Sequence, residues 1–302
     1  MILVTGATGF IGRNLVGHLL EAGHQVMGTD RRPYPDSDGP KDMNFSFELA
    51  DVEVPGTVRD MLLEHRPATV ISLAEGIDRM VSVVEHGASA QGALLDAAEE
   101  AGVGRVIFAS SIAVYMGEEG PFREDAKLPV DSVIHVGAIK KAAEQVAAWH
   151  NKHSQIETVA LRLANIYGPH YHSMMNSPSR MLFAAMDRAI AGKVPALPPS
   201  FYRMAADYCH VDDCCRAICM VVEAPELQHR IYNIGGGRGT TEEHVRIAVE
   251  RACGRNADEV VRDSTENYLD ITRIRDELGF YPRHDLDSGI AAYRNWLLHN
   301  DH

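Results

Sequence analysis

Three glycines near the start of the chain have the type and spacing to receive a pyrophosphate group. The segment Met1–Gly12 reads M-I-L-V-T-G-A-T-G-F-I-G, an apolar run followed by a glycine-rich turn and then by a helical pattern. Glycine allows the open backbone angles of a tight turn and lets a phosphate approach the amides and the positive end of the next helix. The pattern predicts a strand-turn-helix dinucleotide site formed by Gly6, Thr8, Gly9, Phe10, Ile11 and Gly12.

An acidic residue stands where an adenosine ribose would be recognised. Gln25–Thr29 is predicted as the second strand and ends at Asp30, about twenty residues beyond the glycines. A carboxylate there accepts hydrogen bonds from the ribose hydroxyls, which favours NAD. Arg31 and Arg32 would suit the 2′-phosphate of NADP, which is the less favoured alternative.

Asp51 and Val52 follow a predicted third strand, Phe45–Leu49, and would lie beside the adenine of a bound dinucleotide. Ligands bind at the carboxyl ends of parallel strands in open α/β sheets. Asp51 equally suits the N-cap of a helix predicted over Gly56–Glu64, because short carboxylates accept hydrogen bonds from the first amides of a helix. The sequence leaves both interpretations open.

The fourth predicted strand, Thr69–Leu73, places three further residues at the same edge of the sheet. Leu73 and Ala74 are predicted to contact the cofactor from the strand end. Glu75, the first charged residue after the strand, is either a general acid or base or a solvated loop residue. A fifth strand over Arg105–Ala109 then leads to two serines.

Several short motifs follow one another in a fixed order along the chain. They are the glycine-rich segment, Ser110-Ser111 with Val114-Tyr115, Leu161–Pro169, His210–Asp213, Tyr232–Gly235, and Glu277–Phe280 before Pro282. Together they resemble the extended short-chain dehydrogenases/reductases of the NAD-dependent epimerase/dehydratase type. The resemblance implies an α/β fold with a Rossmann-type doubly wound parallel sheet and a smaller C-terminal α/β substrate lobe. It implies a core over residues 1–165, a lobe over 166–302 with segments near 205–235 returning to the core, and a homodimer.

The resemblance also implies a set of catalytic residues, of which this chain lacks two. Family members carry Tyr-x-x-x-Lys on the helix after the serine strand, with the tyrosine as general acid/base. Alignment through Ala143-Glu144 places Lys140 at the lysine and Val136 at the tyrosine. Valine cannot exchange a proton, and Gly87 stands where the family has a supporting asparagine. Ser111 and Lys140 therefore remain as the predicted catalytic pair.

Another residue must move the proton if hydride chemistry persists. His135 adjoins the valine position, but neighbouring side chains on a regular helix diverge by about 100°, so it would serve only where the helix begins irregularly. Glu75 is the other main candidate. Tyr115, His170 and Tyr171 are further candidates and are also predicted to bind substrate.

The predicted substrate lobe departs from the pattern of sugar-nucleotide enzymes. Ala206 stands where such enzymes have an arginine before the Asp-Tyr pair, although Arg203 and Arg262 could hold a diphosphate instead. Asn165 is a further predicted substrate contact. The segment between Ile166 and Phe201 is rich in His, Met and Pro, which would suit an apolar or cyclic substrate, although the methionines also suit an ordinary core.

Composition excludes several classes of partner. The chain has 302 residues, 24% of them charged, and a formal net charge of −13, which disfavours nucleic acid or an anionic membrane as a partner. No window of 18 apolar residues occurs, so a cytoplasmic protein with a small-molecule substrate is predicted. The five cysteines lack paired spacing, so neither a disulfide framework nor a metal site is expected.

Three classes of function remain open. The preferred one is an NAD(P)-dependent epimerase/dehydratase-like enzyme that acts at a hydroxyl or carbonyl carbon of a sugar, a sugar nucleotide or a cyclic natural product. It would use a non-standard acid/base. The first alternative is a non-redox isomerase, cyclase or lyase in which NAD is structural or absent. The second is a non-catalytic NAD(H)-binding sensor.

Overall fold

A computed structural model describes residues 1–35, 39–52, 54, 56–74, 83–171, 178–195, 206–255, 257, 264 and 266–300, with side chains omitted for 83–87. The strands are β1 Ile2–Thr5, β2 Val26–Asp30, β3 Phe45–Leu49, β4 Thr69–Ser72, β5 Arg105–Ser111, β6 Glu157–Leu163, β7 Asn165–Tyr167, β8 Tyr208–His210 and β9 Ile231–Ile234. The α-helices are α1 Phe10–Glu21, α2 Thr57–His65, α3 Val83–Ala101, α4 His135–His153, α5 Pro178–Ile190, α6 Val211–Glu223, α7 Glu242–Ala252, α8 Thr272–Leu278 and α9 Leu286–His299. A short 3₁₀-helix, Ile112–Tyr115, follows β5.

The main sheet has the strand order β3-β2-β1-β4-β5-β6-β9. β1 pairs in parallel with both β2 and β4, β2 pairs in parallel with β3, and β4 with β5. The chain thus runs outward to β3 and then returns to β4 on the other side of β1. This order creates a topological switch point after β1 and β4, where open α/β sheets bind ligands. The predicted doubly wound parallel sheet is confirmed.

The apolar runs form the inner strands because a parallel sheet is covered on both faces. Every residue of β1 and β2 is buried. One core cluster includes Leu3, Met27, Val70 and Val106 of the sheet and Leu95 of α3. This packing holds the carboxyl ends of the central strands in fixed positions.

The chain divides into two compact units. The first unit consists of Met1–Glu118, Lys127–Arg162 and Ile218–Tyr232. The second consists of Glu119–Ala126, Leu163–Ala217 and Asn233–His302, and it contains a small parallel sheet of β7 and β8. In neither unit do the described helices include one that is long and apolar enough to cross a membrane.

Candidate cofactor and catalytic site

Gly6 and Gly12 are required by the way the chain packs at the end of β1. Gly6 has φ +70°, and a Cβ atom there would lie 2.8 Å from the backbone nitrogen of Ala74. A Cβ on Gly12 would lie 2.1 Å from the Gly6 carbonyl oxygen. Both contacts are with backbone atoms, so neither position accepts a side chain without displacing the turn. The glycines therefore bring the ends of β1 and β4 together and seat α1 on the turn.

Gly9 leaves the start of α1 open toward a ligand. It is the N-cap residue, it provides no side-chain cap, and the first turn of α1 contains no acidic residue. An uncapped helix N-terminus carries a partial positive charge and amides that suit a phosphate. The residues present here therefore fit the pyrophosphate of a dinucleotide.

Asp30 is the last residue of β2 and is nine-tenths buried. Its carboxylate accepts hydrogen bonds from the backbone N–H of Thr8 at 3.2 Å and of Arg32 at 3.2 Å. A carboxylate can accept about four hydrogen bonds, so capacity remains for ribose hydroxyls. The Thr8 hydroxyl is buried and has no hydrogen-bond partner among the described residues. Arg31, the neighbour considered for a 2′-phosphate, is exposed.

Other predicted cofactor residues lie at the ends of β3 and β4. Ala74 donates its N–H to the Thr5 hydroxyl at 3.2 Å, and Leu73 donates to the Thr5 carbonyl at 3.3 Å. Asp51 and Val52 are partly exposed just after β3. The N-cap interpretation of Asp51 is wrong, because α2 begins after a glycine whose φ of +87° sets the turn and which provides no side-chain cap. Glu75 lies outside the described residues.

The end of β5 is held by contacts on three consecutive residues. Lys140 is 9% exposed and donates from Nζ to the Ala109 carbonyl oxygen at 2.5 Å. Ser110 donates from Oγ to Glu144 Oε1 at 2.5 Å. Ser111 accepts a hydrogen bond on Oγ from the Ala113 N–H at 3.1 Å and so caps the 3₁₀-helix. The structure thus brings the predicted pair, Ser111 and Lys140, to the same strand end.

The neighbouring lysine serves a different part of the chain. Lys141 donates from Nζ to the carbonyl oxygens of Pro129 and Asp131, in the segment before α4. Only Lys140 of the two is directed toward β5. This placement supports the alignment that equates Lys140 with the lysine of the family motif.

The start of α4 is regular and closely packed. His135 is its first residue and is exposed, whereas Val136 is partly buried. A Cβ on Gly137 would lie 2.5 Å from the Ala113 carbonyl oxygen, so the helix contacts the 3₁₀-helix through a glycine. The irregular helix start that would let His135 occupy the valine position is not present.

Four residues form an interior polar cluster behind the strand end: Ser110, Tyr115, Glu144 and Arg162. Arg162 donates from Nε and Nη2 to Glu144 at 2.9 and 2.6 Å, and from Nη1 to the Tyr115 hydroxyl at 2.6 Å. All four are at most 5% exposed. Although burial opposes it, the hydrogen bonds and charge of Glu144 raise the pKa of Arg162, so the guanidinium remains charged. The hydroxyl of Tyr115, which was predicted to bind substrate, thus binds Arg162 instead.

The predictions did not identify the cluster as a unit. The available signal was Arg162 itself, a charged residue inside the buried part of strand β6. Charged residues are almost never fully buried unless they are paired, so a partner had to exist. Its identity, Glu144 on α4, depends on how a helix and a strand pack, which the spacing along the chain does not reveal.

The described substrate-binding candidates outside the first unit have structural contacts of their own. Asn165 uses its side-chain amide to donate to the Asp207 carbonyl at 2.9 Å. His170 has φ +65°, and its ring centroid lies 4.9 Å from that of Trp296. Tyr171 is 9% exposed, with its ring 6.1 Å from that of Phe183. Arg203 and Arg262 lie outside the described residues, so their predicted diphosphate contacts stay predictions.

Asp207 holds together three segments of the second unit. Its fully buried carboxylate accepts hydrogen bonds from the N–H groups of Gly236 at 2.7 Å, Gly237 at 3.3 Å and Leu269 at 3.0 Å. Burial raises the pKa of Asp207 to about 7. A Cβ on Gly235 would lie 2.5 Å from Asp207 Oδ2, so this carboxylate explains the glycine of the Tyr232–Gly235 motif.

The His210–Asp213 motif likewise has a structural explanation. Asp213 is fully buried and accepts hydrogen bonds from Arg216 Nη1 at 2.6 Å, the Arg283 N–H at 2.8 Å and the His284 N–H at 2.9 Å. The His210 ring lies 4.3 Å from the His284 ring, and burial lowers the pKa of His210 to about 4. These side chains connect α6 to the segment before α9.

Metal chemistry has no visible basis in the part of the chain that is described. Its His, Cys, Asp and Glu side chains include no group of three or more that could hold an ion. The cysteines at 209, 214, 215, 219 and 253 are free thiols.

Comparison with known proteins identifies a family. The model of the NAD dependent epimerase/dehydratase family matches residues 2–235, which confirms the resemblance predicted from the motifs and the prediction of an enzyme of that type. A dTDP-glucose 4,6-dehydratase from Streptomyces niveus is 29% identical over 326 aligned residues, covering 99% of this chain and 93% of the relative.

Solved structures agree with this match. The protein MoeE5, solved in complex with UDP-glucuronic acid and NAD, is 28% identical with a TM-score of 0.78, and 99% of each chain is covered. A UDP-glucose 4-epimerase from Thermotoga maritima, solved with UDP-glucose, has a TM-score of 0.83 over 99% of this chain and 98% of its own. At 23% identity, the latter likeness supports the fold alone.

Proposed function

We propose that this chain, which belongs to the NAD-dependent epimerase/dehydratase family, binds NAD and acts at a hydroxyl or carbonyl carbon of a sugar, a sugar nucleotide or a cyclic natural product. The observation that carries the proposal is the strand end of β5, where Lys140 and Ser111 lie in the same unit as the uncapped glycine turn. When bound, NAD supplies a reversible hydride acceptor for a carbinol carbon.

The first unit provides separate groups for the parts of the dinucleotide. The turn from Gly6 to Gly12 would receive the pyrophosphate, and Asp30 the adenosine ribose. The orientation of Asp30 is fixed by two backbone amides before any ligand arrives. The presence of NAD in the MoeE5 complex, at 28% identity, supports NAD over NADP.

At the reacting end, the roles divide among groups that remain in this chain. The Ser111 hydroxyl would bind the oxygen of the reacting carbon, and the Lys140 ammonium would hold the nicotinamide ribose and stabilise negative charge. Val136 cannot transfer a proton. Since α4 begins regularly at His135, we assign the general acid/base to Glu75, and His135 is the second residue to test. The exposed side chain of His135 places it at the surface of the first unit.

Apolar residues near the start of α4 bear on the substrate. Val130 is 98% exposed and Val133 61% exposed, both in the segment leading to α4, and Val136 follows one residue into the helix. Such a surface suits a substrate with an apolar or cyclic part beside its hydroxyl group. The sugar nucleotides bound by the relatives in solved structures support a nucleotide sugar as the second substrate class to test.

Val136 also favours one specific alternative. With no hydroxyl at this position, the same site could perform a non-redox isomerisation, cyclisation or elimination, with NAD structural or absent. A sensor that only binds NAD(H) is the remaining alternative. We further propose a homodimer in the cytoplasm, on the family resemblance and the net charge of −13, with neither nucleic acid nor membrane as partner.

The deciding experiment follows deuterium between the substrate and the nicotinamide. We expect label from the reacting carbon to appear on bound NADH in single turnover of a sugar nucleotide or a cyclic alcohol. Full turnover without label reaching the cofactor, and without loss on removing NAD, would establish the non-redox alternative. NAD binding by calorimetry with no turnover of either substrate class would favour the sensor.

A pair of adjacent lysines provides a matched control. We expect Lys140→Ala to weaken NADH binding and lower turnover together, each by about tenfold or more, since one charged hydrogen bond contributes about 1.5–3 kcal/mol. Lys141→Ala should change neither, because its contacts are with the segment before α4. The reverse pattern would show that the alignment through Ala143-Glu144 is displaced by one residue.

Substitution of each candidate side chain in turn identifies the general acid/base. Removal of the true group, by Glu75→Gln or His135→Ala, should lower turnover by roughly a hundredfold while cofactor binding stays close to normal. Val136→Tyr is the complementary variant: in the redox mechanism it restores the family phenol beside Lys140 and alters activity. In the non-redox alternative it only fills space and impairs the reaction.

A further inference from the structure

We infer that the interior polar cluster positions Ser111 and Lys140 for the reaction, with Ser110 as the link between the cluster and the reacting groups. None of its members needs to touch substrate. They act by fixing the strand and the helix from which the two reacting side chains extend. The inference extends the proposed function, and only its turnover measurement depends on that function.

Ser110 and Ser111 are consecutive residues at the end of β5. Successive side chains of a strand point to opposite faces. Because the Ser110 hydroxyl is directed into the interior, where it donates to Glu144, the Ser111 side chain must leave the strand on the other face. Ser110 is 2% exposed while Ser111 is partly exposed. The bond from Ser110 therefore sets the direction of Ser111.

The helix is held at the same level by the same carboxylate. Glu144 lies four residues after Lys140 on α4, so the two side chains are neighbours on one face of the helix. Lys140 contacts the carbonyl of Ala109, and Glu144 contacts the side chain of the next residue. Two successive residues of β5 are thus bound to two successive turns of α4. A slip of either element would break both bonds.

Arg162, on β6, further fixes the position of Glu144. It binds Glu144 with two hydrogen bonds, a bidentate geometry that fixes the plane of the carboxylate. Its third bond, to the Tyr115 hydroxyl, includes the end of the 3₁₀-helix that Ser111 caps. One buried guanidinium therefore orients the groups on both sides of the reacting serine.

If the cluster only stabilised the fold, the loss of one of its hydrogen bonds would act like the loss of any other buried hydrogen bond. A matched pair of variants distinguishes this case from a positioning role. Ser110→Ala removes the link to Glu144. Thr158→Val removes a buried hydrogen bond of similar kind between β6 and α4, from Thr158 Oγ1 to the Ala147 carbonyl at 3.0 Å. Each variant should lower the melting temperature by about 2–4 °C, as expected for a loss of one hydrogen bond.

The readout is the reactivity of Lys140 toward reductive methylation, measured by mass spectrometry with Lys141 as internal reference. In Ser110→Ala the rate at Lys140 should rise about fivefold, the equivalent of one hydrogen bond, and kcat should fall at least about tenfold with KM within twofold. Thr158→Val should match the wild type in both. Ser110→Thr keeps the hydroxyl and should restore normal reactivity.

Equal Lys140 reactivity in Ser110→Ala and Thr158→Val would overturn the inference. If Ser110→Ala does not fold, Tyr115→Phe provides the second variant, because it removes one hydrogen bond of Arg162 while keeping the buried ring. A Lys140 reactivity above that of Thr158→Val would support the inference. An equal reactivity would contradict it. Methylation needs no substrate. A wild type without turnover would therefore count against the proposed function and leave this test intact.

Discussion

Buried charge is compensated in different ways in the two units. In the first, Glu144 and Arg162 are 5% and 2% exposed and neutralise each other through two hydrogen bonds. In the second, Asp207 is fully buried and is surrounded by backbone amides, while buried His210 packs against another histidine ring. An opposite charge preserves ionisation, whereas the three amide hydrogen bonds lower the pKa of Asp207 without outweighing burial, which raises it.

This difference separates the parts of the molecule that respond to pH from those that do not. The pKa of Arg162 is raised by Glu144, so its guanidinium stays charged throughout the neutral range. Burial places the pKa of Asp207 at about 7 and that of His210 at about 4. The proposed reaction machinery thus lies on the pH-insensitive cluster.

Glu144→Ala should cause the largest loss of stability. It leaves the Arg162 guanidinium buried without an opposite charge, at a cost of about 3–5 kcal/mol in the free energy of unfolding. The double variant Glu144→Leu with Arg162→Met should recover most of that loss, since a buried ion pair and an apolar pair of similar volume differ little. Urea denaturation measures both. Glu100→Ala, in an exposed pair with Arg59, is the control and should leave the midpoint unchanged.

Asp207→Asn should remove a fall in stability between pH 4 and pH 8. The folded protein holds a proton on Asp207 up to about pH 7, whereas the unfolded chain loses it near 3.8. The folded state thus binds more protons in this window, so stability falls as pH rises, by about 3–4 kcal/mol. The asparagine variant should lack this contribution, so its stability should rise relative to the wild type by that amount across the window, and exposed Asp125→Asn should show no such change. An unchanged slope in Asp207→Asn would place the titration elsewhere.

His210→Phe should reveal a slope of opposite sign. The pKa of His210 is about 4 in the folded protein and 6.5 in the unfolded chain, so the unfolded state binds the extra proton between those values. Its contribution is complete above pH 6.5 and is lost as pH falls toward 4, by about 2–3 kcal/mol. Phenylalanine keeps the ring and cannot titrate. Unfolding curves from pH 4 to 7 that coincide with the wild type would contradict the assignment.

In the wild type the two contributions oppose each other. Asp207 lowers stability with rising pH while His210 raises it, and their windows overlap between about pH 4 and pH 6.5. The net profile should therefore be shallow. Only the single variants reveal the separate pH dependences of Asp207 and His210.

Asp30→Ala should have the smallest effect, and it acts on binding rather than on folding. Loss of the carboxylate should weaken NAD by about tenfold, the scale of one hydrogen bond to a charged group, and NADP by less. Isothermal titration with each cofactor measures the difference. Arg31→Ala, at the adjacent exposed residue, should leave NAD affinity unchanged. Equal weakening of both cofactors by Asp30→Ala would remove Asp30 from the ribose site.

The sequence predicted the sheet well because its strands carry strong local signals. β3 has the predicted bounds, Phe45–Leu49, and β2 runs over Val26–Asp30 where Gln25–Thr29 was predicted, a shift of one residue. Helix starts were harder. The third helix, predicted to start at Ala88, begins at Val83, although Ser82 and Glu85 have the spacing of a capping box that the prediction did not use. Local propensity therefore predicts the existence of an element better than its ends.

The sequence predicted which residues lie at the end of a strand, but it did not predict where their side chains point. Ser111 and Lys140 come from motifs, and the structure places both at the end of β5, where their catalytic roles stay predictions. Tyr115 belongs to the same motif, but the 3₁₀-helix turns its hydroxyl inward to Arg162. A short helix after a strand changes side-chain direction in a way that residue spacing does not encode. The pairing of Arg162 with Glu144 likewise could be recognised only from the three-dimensional structure.

The position of β9 has a consequence for how the chain can be divided. β9 lies beside β6 at the edge of the main sheet, and the Ala160 N–H donates to the Arg230 carbonyl at 2.9 Å. A fragment ending at residue 165 would keep β6 but lose its neighbour, which leaves unpaired backbone groups along the buried stretch Thr158–Leu163. Exposed edges of this kind join strands of other molecules. Such a fragment is expected to aggregate, however complete its glycine turn and its Lys140.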